Sequence, residues 1–369
     1  MKETRKHKIF FIILYAVVFI AAWVSLSIRL NDIRRHSREN AIPTPTSTPI
    51  VIKSNVEKMS LAIVAEPTIE FRNFLPLILK PKRTKLIGAN ITSYPASTVE
   101  QYVNSGYIRV FLDWNYAEKT MGVYDFSYYL SHVTKNNPVV ISIRNSPSWA
   151  SQSEWTCAPP LKPYWDNFIE LAVKAVKATP NAIAVELWNE PNVSQDLVAK
   201  DWIHYGCWGN NYIDGAAYGR FVNYVAPRIK NRVNVKIIAG AFMTNARQEN
   251  YPFLDGFFKS VIKDNIDILS YHFYAYEIGD FADVLYFSDI LRGKFNKQIW
   301  LTETAFLCVS NCEDQQAAFM YHLLRILDGG YLGQIFWHEL PPNSWGDCAL
   351  IKPYGPSEAY YIYAEKEMP

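Results

Sequence analysis

Two short segments of this 369-residue chain carry residues able to do acid–base and nucleophilic work. The apolar run Ile183–Trp188 leads straight into Asn189-Glu190-Pro191, and Trp300-Leu-Thr302 leads into Glu303. A carboxylate that closes a buried run is costly unless it is paired or employed. Two carboxylates facing each other across a cleft suit glycosidic bond cleavage. One, protonated, hands a proton to the leaving oxygen; the other, ionised, attacks the anomeric carbon. A separation of about 5–5.5 Å gives a double displacement with retention. Arg109 sits inside the apolar run Tyr107–Leu112, and a buried guanidinium wants a carboxylate partner. His272 and Tyr274 follow the run Ile266–Tyr271.

Such residues need a frame that gathers strand ends at one mouth. Eight short β-rich runs provide candidates: Lys85–Asn90, Tyr107–Leu112, Pro138–Ile143, Ala182–Trp188, Val235–Gly240, Ile266–Tyr271, Gln298–Thr302 and Gly333–Trp337. Helical periodicity is clearest over Tyr164–Lys177, Ala216–Arg232, Asp280–Leu291 and Glu313–Leu327, with a last stretch at Ser357–Lys366. Eight strand–helix units predict an α/β fold, a (β/α)8 TIM barrel, with the site at the C-terminal ends of the strands. Glu190 then closes strand 4 and Glu303 strand 7, 113 residues apart. The alternative, an open doubly wound sheet, announces itself by a glycine-rich turn after strand 1. Asn90-Ile-Thr-Ser-Tyr-Pro95 has none, and no P-loop occurs, so no nucleotide cofactor is expected.

Leu187-Trp-Asn-Glu-Pro-Asn192 and Leu301-Thr-Glu-Thr304 resemble the strand-4 and strand-7 signatures of the clan A glycoside hydrolases, the "4/7" barrels. The likeness covers residues 84 to 369 and leaves the cellulase-like family 5 and family 39 both open. It implies Glu190 as acid/base, Glu303 as nucleophile and Asn189 on the sugar 2-hydroxyl. It also implies that Arg109 supports the nucleophile, that His272 and Tyr274 line the site, and that Trp337 at the end of strand 8 is a sugar platform. Arg144-Asn-Ser-Pro-Ser-Trp149 resembles the Pro-x-Trp segment of the family 39 xylosidase group, which would put Trp149 in the cleft. Family 5 often has a His-Asn pair where this chain has Arg144-Asn145. Trp155, Trp202, Trp208 and Trp345 fall in loops expected at the same mouth, as do His204, His338 and Glu339. Neither a cofactor nor a metal is implied, since no His-x-His ligand set closes a strand.

The rest of the chain bounds where this chemistry happens. Ile9–Ile28 is twenty residues without a charge, about 30 Å as a helix, enough to span a bilayer. Lys2, Arg5, Lys6 and Lys8 precede it and Arg29, Arg34, Arg35 and Arg38 follow, so the basic flanks leave its orientation open. Residues 1–30 are expected to be a transmembrane signal-anchor, 31–82 a stalk containing Pro43-Thr-Pro45-Thr-Ser-Thr-Pro49, and 83–369 the barrel. The catalytic domain is then extracytoplasmic, or secreted if the segment is cleaved near Ser25-Leu-Ser27. Oxidising surroundings would allow Cys308 to pair with Cys312 and Cys157 also with Cys207, which would leave Cys348 odd; five ordinary thiols are the alternative. With 37 Lys and Arg against 35 Asp and Glu, no basic surplus points to nucleic acid. The expected partners are a carbohydrate and a membrane. The function expected is retaining hydrolysis of β-linked O-glycosides, with a non-catalytic glycan-binding barrel or a cell-envelope transglycosylase as alternatives.

Overall fold

A computed structural model describes residues 87–364, except 93–94, 97–99, 101–105, 154, 195–205, 245–250, 308–312, 339–348 and 353–354. The apolar run Ile9–Ile28, the stalk, Cys308, Cys312, Cys348, Trp202, Trp345, His204 and Glu339 lie outside the described residues. Among the described residues no helix is long and apolar enough to cross a membrane.

Eight parallel strands close into a barrel in chain order. They are β1 (Gly88–Ile91), β2 (Ile108–Asp113), β3 (Val139–Arg144), β4 (Ala182–Leu187), β5 (Lys236–Met243), β6 (Ile268–Ala275), β7 (Gln298–Phe306) and β8 (Gln334–Trp337). β8 pairs back onto β1 through Gly88↔Phe336 and Ala89↔Trp337. All eight expected strands are present. Long helices follow the later strands: α4 (Trp165–Ala178), α5 (Tyr212–Lys230), α6 (Pro252–Ser260), α7 (Phe281–Phe295) and α8 (Glu313–Asp328), with α9 (Glu358–Ala364) after β8. The link from β2 to β3 departs from the regular beat. It holds only the single-turn helices α1 (Trp114–Ala117) and α2 (Ser127–Leu130), and α3 (Ser148–Ser151) is another single turn after β3. Thr120 and Val123 bridge around Gly122 at φ +81°, a tight turn that interrupts helical periodicity.

Strand alternation sorts the side chains. Val140, Ala184, Ile238, Ile268, Trp300 and Phe336 form an apolar cluster of their own, one residue from each of β3 to β8. They plug the barrel below the site. The opposite faces join the larger core shared with the helices, which includes Ile141, Val185, Ile237, Leu269 and Ile299. Above the plug the next inward positions turn polar: Arg109, Ser142, Glu186 and Ser270 are all fully buried and hydrogen-bonded to one another. A buried polar layer of this kind is stable only when every donor and acceptor is matched.

Two irregularities aim the two strands that carry Glu190 and Glu303. In β7 the register slips: Tyr271↔Leu301 is followed by His272↔Glu303, so Thr302 is an extra residue. The same bulge appears from the other side, where Leu301↔Ile335 is followed by Thr304↔Trp337. A single extra residue reverses the alternation. Trp300 faces the plug, and the bulge lets Glu303, an odd number of residues later, face the same interior. At the end of β4, Trp188 takes φ +82° and Glu190 φ +46°, a strained choice for residues with side chains. The strain is held by packing. The Trp188 indole is buried against Phe168, Phe221 and Trp208, and its N–H donates to the Gly206 carbonyl at 2.7 Å. Glu190 N–H donates to the Ala241 carbonyl at 3.0 Å.

Candidate active site

The centre of the site is Arg109. Its Nε donates to Glu186 Oε2 at 2.7 Å. One terminal nitrogen donates to Asn90 Oδ1 at 2.8 Å and to Glu303 Oε2 at 2.9 Å. The other donates to Ser142 Oγ at 3.0 Å and Asn189 Oδ1 at 2.7 Å. All five guanidinium donors are spent on residues from β1, β2's neighbour β3, β4 and β7. One side chain thereby sets the relative position of four strands.

Glu303 receives a second fixed contact, from the Tyr274 hydroxyl to Oε1. His338 Nδ1 lies 3.6 Å from Oε1 and His272 Nδ1 3.9 Å from Oε2. Glu190 is held by His272, whose Nδ1 is 2.7 Å from Oε1. The other ring nitrogen, Nε2, faces an Arg109 nitrogen at 3.4 Å. One carboxylate oxygen from Glu190, one from Glu303 and a nitrogen of His272 all lie within 4.8 Å of one another.

The surroundings push the two carboxyls apart. Burial raises Glu190 above the ordinary carboxylate range, and the nearby charge of Glu303 adds to it; the bond from His272 opposes without winning. Burial also works against ionisation at Glu303. There it is outweighed by the imidazoles of His338 and His272, the Arg109 guanidinium and the Tyr274 hydroxyl, and Glu303 ends well below the usual range. Arg109 is the permanent part of that field, because a guanidinium keeps its charge throughout the accessible pH range. Burial pulls His338 towards its neutral form, so its help fades as pH rises. Two acids with opposed shifts in one cleft are the pattern of an acid/base and nucleophile pair.

Glu190, His272 and Glu303 each offer a ligand atom, a set that in isolation could hold a divalent cation. The chemistry of the neighbours argues otherwise. Both Glu303 oxygens already accept bonds, His272 Nδ1 is turned to Glu190, and an incoming cation would meet the charge of Arg109.

The structure thus brings together Glu190, Glu303, Asn189, Arg109, His272 and Tyr274. It corrects the expectation for Trp337. That ring has no exposed surface and packs in the outer core, 6.3 Å from Phe319 of α8. Alternation explains it: Phe336 faces the plug, Trp337 the helices, and His338 the mouth, edge-on to Tyr274. Trp149 is half-buried, its indole N–H donating to the Glu118 carbonyl at 3.1 Å and its ring edge-on to Trp114 and Tyr164. These contacts belong to an aromatic cluster and not to the carboxylates. Trp208 likewise packs on Trp188, Tyr218 and Phe221. Cys157 and Cys207 are joined as one disulfide, linking the segments that follow β3 and β4.

Glu186, Asn90 and Ser142 went unassigned in the sequence, although they complete the Arg109 network. Glu186 stays ionised because Arg109, helped by His272 and Ser270, outweighs its complete burial. The signal for Glu186 was present: it stands alone as a charge inside Ala182–Leu187, just as Arg109 does inside β2.

Residues 162–344 match the family profile described as glycosyl hydrolase catalytic core. No curated protein matches the chain in sequence. Among solved structures it is similar to a family 39 glycoside hydrolase from the gut symbiont Bacteroides cellulosilyticus WH2, at TM-score 0.55 and 17% identity, covering 77% of this chain and 63% of that one. It is also similar to the exo-beta-1,4-mannosidase Op5Man5 from Opitutaceae bacterium strain TAV5, at TM-score 0.50 and 12% identity, covering 77% and 59%. The chain therefore spans less than two thirds of the length of both proteins. The sequence match and the closed eight-stranded barrel together give the chain a region similar to a glycosyl hydrolase catalytic core, set in a (β/α)8 barrel.

Proposed function

We propose that this chain is a glycosidase, a retaining enzyme that cleaves β-linked O-glycosides by double displacement. The observation that carries the reading is the carboxylate pair, with one oxygen of each inside 4.8 Å and opposed shifts in acidity. An inverting pair stands about 6.5–9.5 Å apart to admit a water between them. In the first step Glu303 attacks the anomeric carbon while Glu190 gives its proton to the departing oxygen. In the second, the ionised Glu190 takes a proton from water, which displaces Glu303 and releases the sugar. Tyr274 and Arg109 hold the Glu303 carboxylate in place for attack. Asn189, fixed through its Oδ1 by Arg109, is stationed for the sugar 2-hydroxyl.

The substrate is proposed to be an extracytoplasmic poly- or oligosaccharide, met by a barrel tethered through Ile9–Ile28. The anchor rests on sequence alone. The Cys157–Cys207 bond supports an oxidising location.

A panel of 2-deoxy-2-fluoro β-glycosides tests the mechanism. The expected result is a mass increase of one fluoro-sugar on intact protein, mapped to the peptide containing Glu303. A label on another residue, or turnover with inverted product, would overturn it.

A further inference from the structure

Strand β8 brings a second histidine to the mouth of the barrel. Phe336 faces the plug and Trp337 the helices, so His338 is the residue that turns towards Glu303. Its backbone N–H donates to the Thr304 carbonyl at 2.8 Å, which ties the end of β8 to β7 one residue past Glu303. Its ring stands edge-on to Tyr274, with 6.0 Å between centroids and 89° between planes. Nδ1 lies 3.6 Å from Glu303 Oε1, the oxygen to which the Tyr274 hydroxyl donates. That gap is too long for a hydrogen bond, so the imidazole acts on the carboxyl through its charge. His338 is only 7% exposed, and solvent screens so buried a pair weakly. The two carboxylate oxygens therefore have different keepers. Oε2 is held at 2.9 Å by Arg109, whose charge does not change with pH. Oε1 faces a side chain that can gain or lose a proton.

We propose that His338 is a positioning residue for Glu303, bracing the Oε1 side of the carboxyl together with Tyr274 and extending its attack on the sugar to acid conditions. The proposal rests on the glycosidase reading of the site. The charged and titratable groups that face His338 are Glu303 on β7, Arg109 on β2, His272 on β6 and Arg144 on β3. Burial favours the neutral imidazole, Glu303 opposes it, and the three cations side with burial. The imidazolium is thereby confined to the acid side of the usual histidine range. It counts most there, because Glu303 is then closest to taking up a proton. Burial works against ionisation of Glu303, and the charge of His338 is the largest influence on the other side. Without His338, Glu303 accepts a proton at higher pH and stops attacking. In neutral solution the imidazole is uncharged, and what it contributes is its packing on Tyr274.

The test uses the full chain and the 2,4-dinitrophenyl 2-deoxy-2-fluoro β-glycosides of glucose, xylose, mannose and galactose. Glu303 bonds to the anomeric carbon as the bond to dinitrophenolate breaks, and the phenolate leaves with the electron pair. That leaving group needs no proton, so the burst of dinitrophenolate reads Glu303 and not Glu190. Burst rates are measured from about pH 4 to about pH 8 for the parent, His338→Asn and His338→Ala. Asn keeps an amide N–H near the place of Nδ1 without the charge, and it carries the pH comparison even where Ala unfolds. The parent rate is expected to change less than about twofold between pH 7 and pH 4. His338→Asn should lie within about threefold of the parent at pH 7 and be about fivefold or more slower at pH 4. His338→Ala should already be about tenfold slower at pH 7. A ratio of parent to His338→Asn that is the same at every pH, through equal rates or a uniform loss, would overturn the proposal and leave double displacement standing. No burst with any of the four sugars would overturn double displacement and this role together.

Discussion

Arg109 shows how much of this site depends on one side chain. It is buried, permanently charged and bonded to two carboxylates that would otherwise repel each other and pay for their own desolvation. Arg109→Met should therefore destabilise the fold by about 3–5 kcal/mol, the usual cost of leaving a buried charge without its partner. Chemical denaturation measures this, and a change under 1 kcal/mol would contradict the network. The variant should also raise the acidic limb of the pH–rate profile. That limb reports ionisation of Glu303, which Arg109 helps hold low, while the alkaline limb reports loss of the Glu190 proton. Glu190→Gln should lower kcat by about 10²–10⁴ for poor leaving groups and much less for activated aryl glycosides, which need no proton. Its effect on stability has a definite sign. Glu190 is raised in the folded state, so the native protein binds its proton more tightly than the unfolded chain does. The parent therefore loses stability as pH rises from the unfolded value to the folded one. Thermal melts should place Glu190→Gln above the parent at pH 8, with the two converging towards pH 4. A parent that melts higher at pH 8 would contradict the raised acidity assigned to Glu190.

At the scale of elements, the site depends on two distortions that no periodicity announces. The Thr302 bulge turns Glu303 inward, and the β4 terminus bends at Trp188 to present Asn189 and Glu190. Gly206 lets the following segment close over that bend. A Cβ there would lie 2.1 Å from the Asn189 carbonyl oxygen and 2.5 Å from the Trp188 ring, and neither backbone nor buried indole has room to yield. Gly206→Ala should cut kcat/KM tenfold or more, because Asn189 and Glu190 would shift together. Near-normal turnover would show that the bend is not held from this side. The Cys157–Cys207 bond pins the same region, closing a loop of 50 residues. Replacing both by Ser should cost about 2–4 kcal/mol through the freedom returned to the unfolded chain. Unchanged stability in a non-reducing melt would contradict a formed bond. Trp337 illustrates the same limit on sequence reading. Its place at the end of β8 was legible, but which side it faces depends on strand alternation, and that gives the mouth to His338.

For the whole molecule, the barrel brings residues as far apart in the chain as Asn90 and Glu303 into one hydrogen-bonded cluster. The anchor belongs to this scale as well. If Ile9–Ile28 spans a bilayer, the full chain should stay with membranes through alkaline carbonate extraction. Recovery in the supernatant at full length would refute the tether. The alternation of strand and helix, the apolar closing runs, and the two carboxylates were all legible in the chain, because local periodicity and the desolvation cost of charge act on neighbours in sequence. So was the presence of Arg109 as a buried cation in need of a partner. Its partners were not, since Asn90, Ser142, Glu186 and Glu303 come from four other strands. The bulge in β7 and the inward turn of His338 likewise belong to the closed barrel. Register, strand alternation and the packing of one loop over another are set by contacts between distant segments, and only the folded chain makes those contacts.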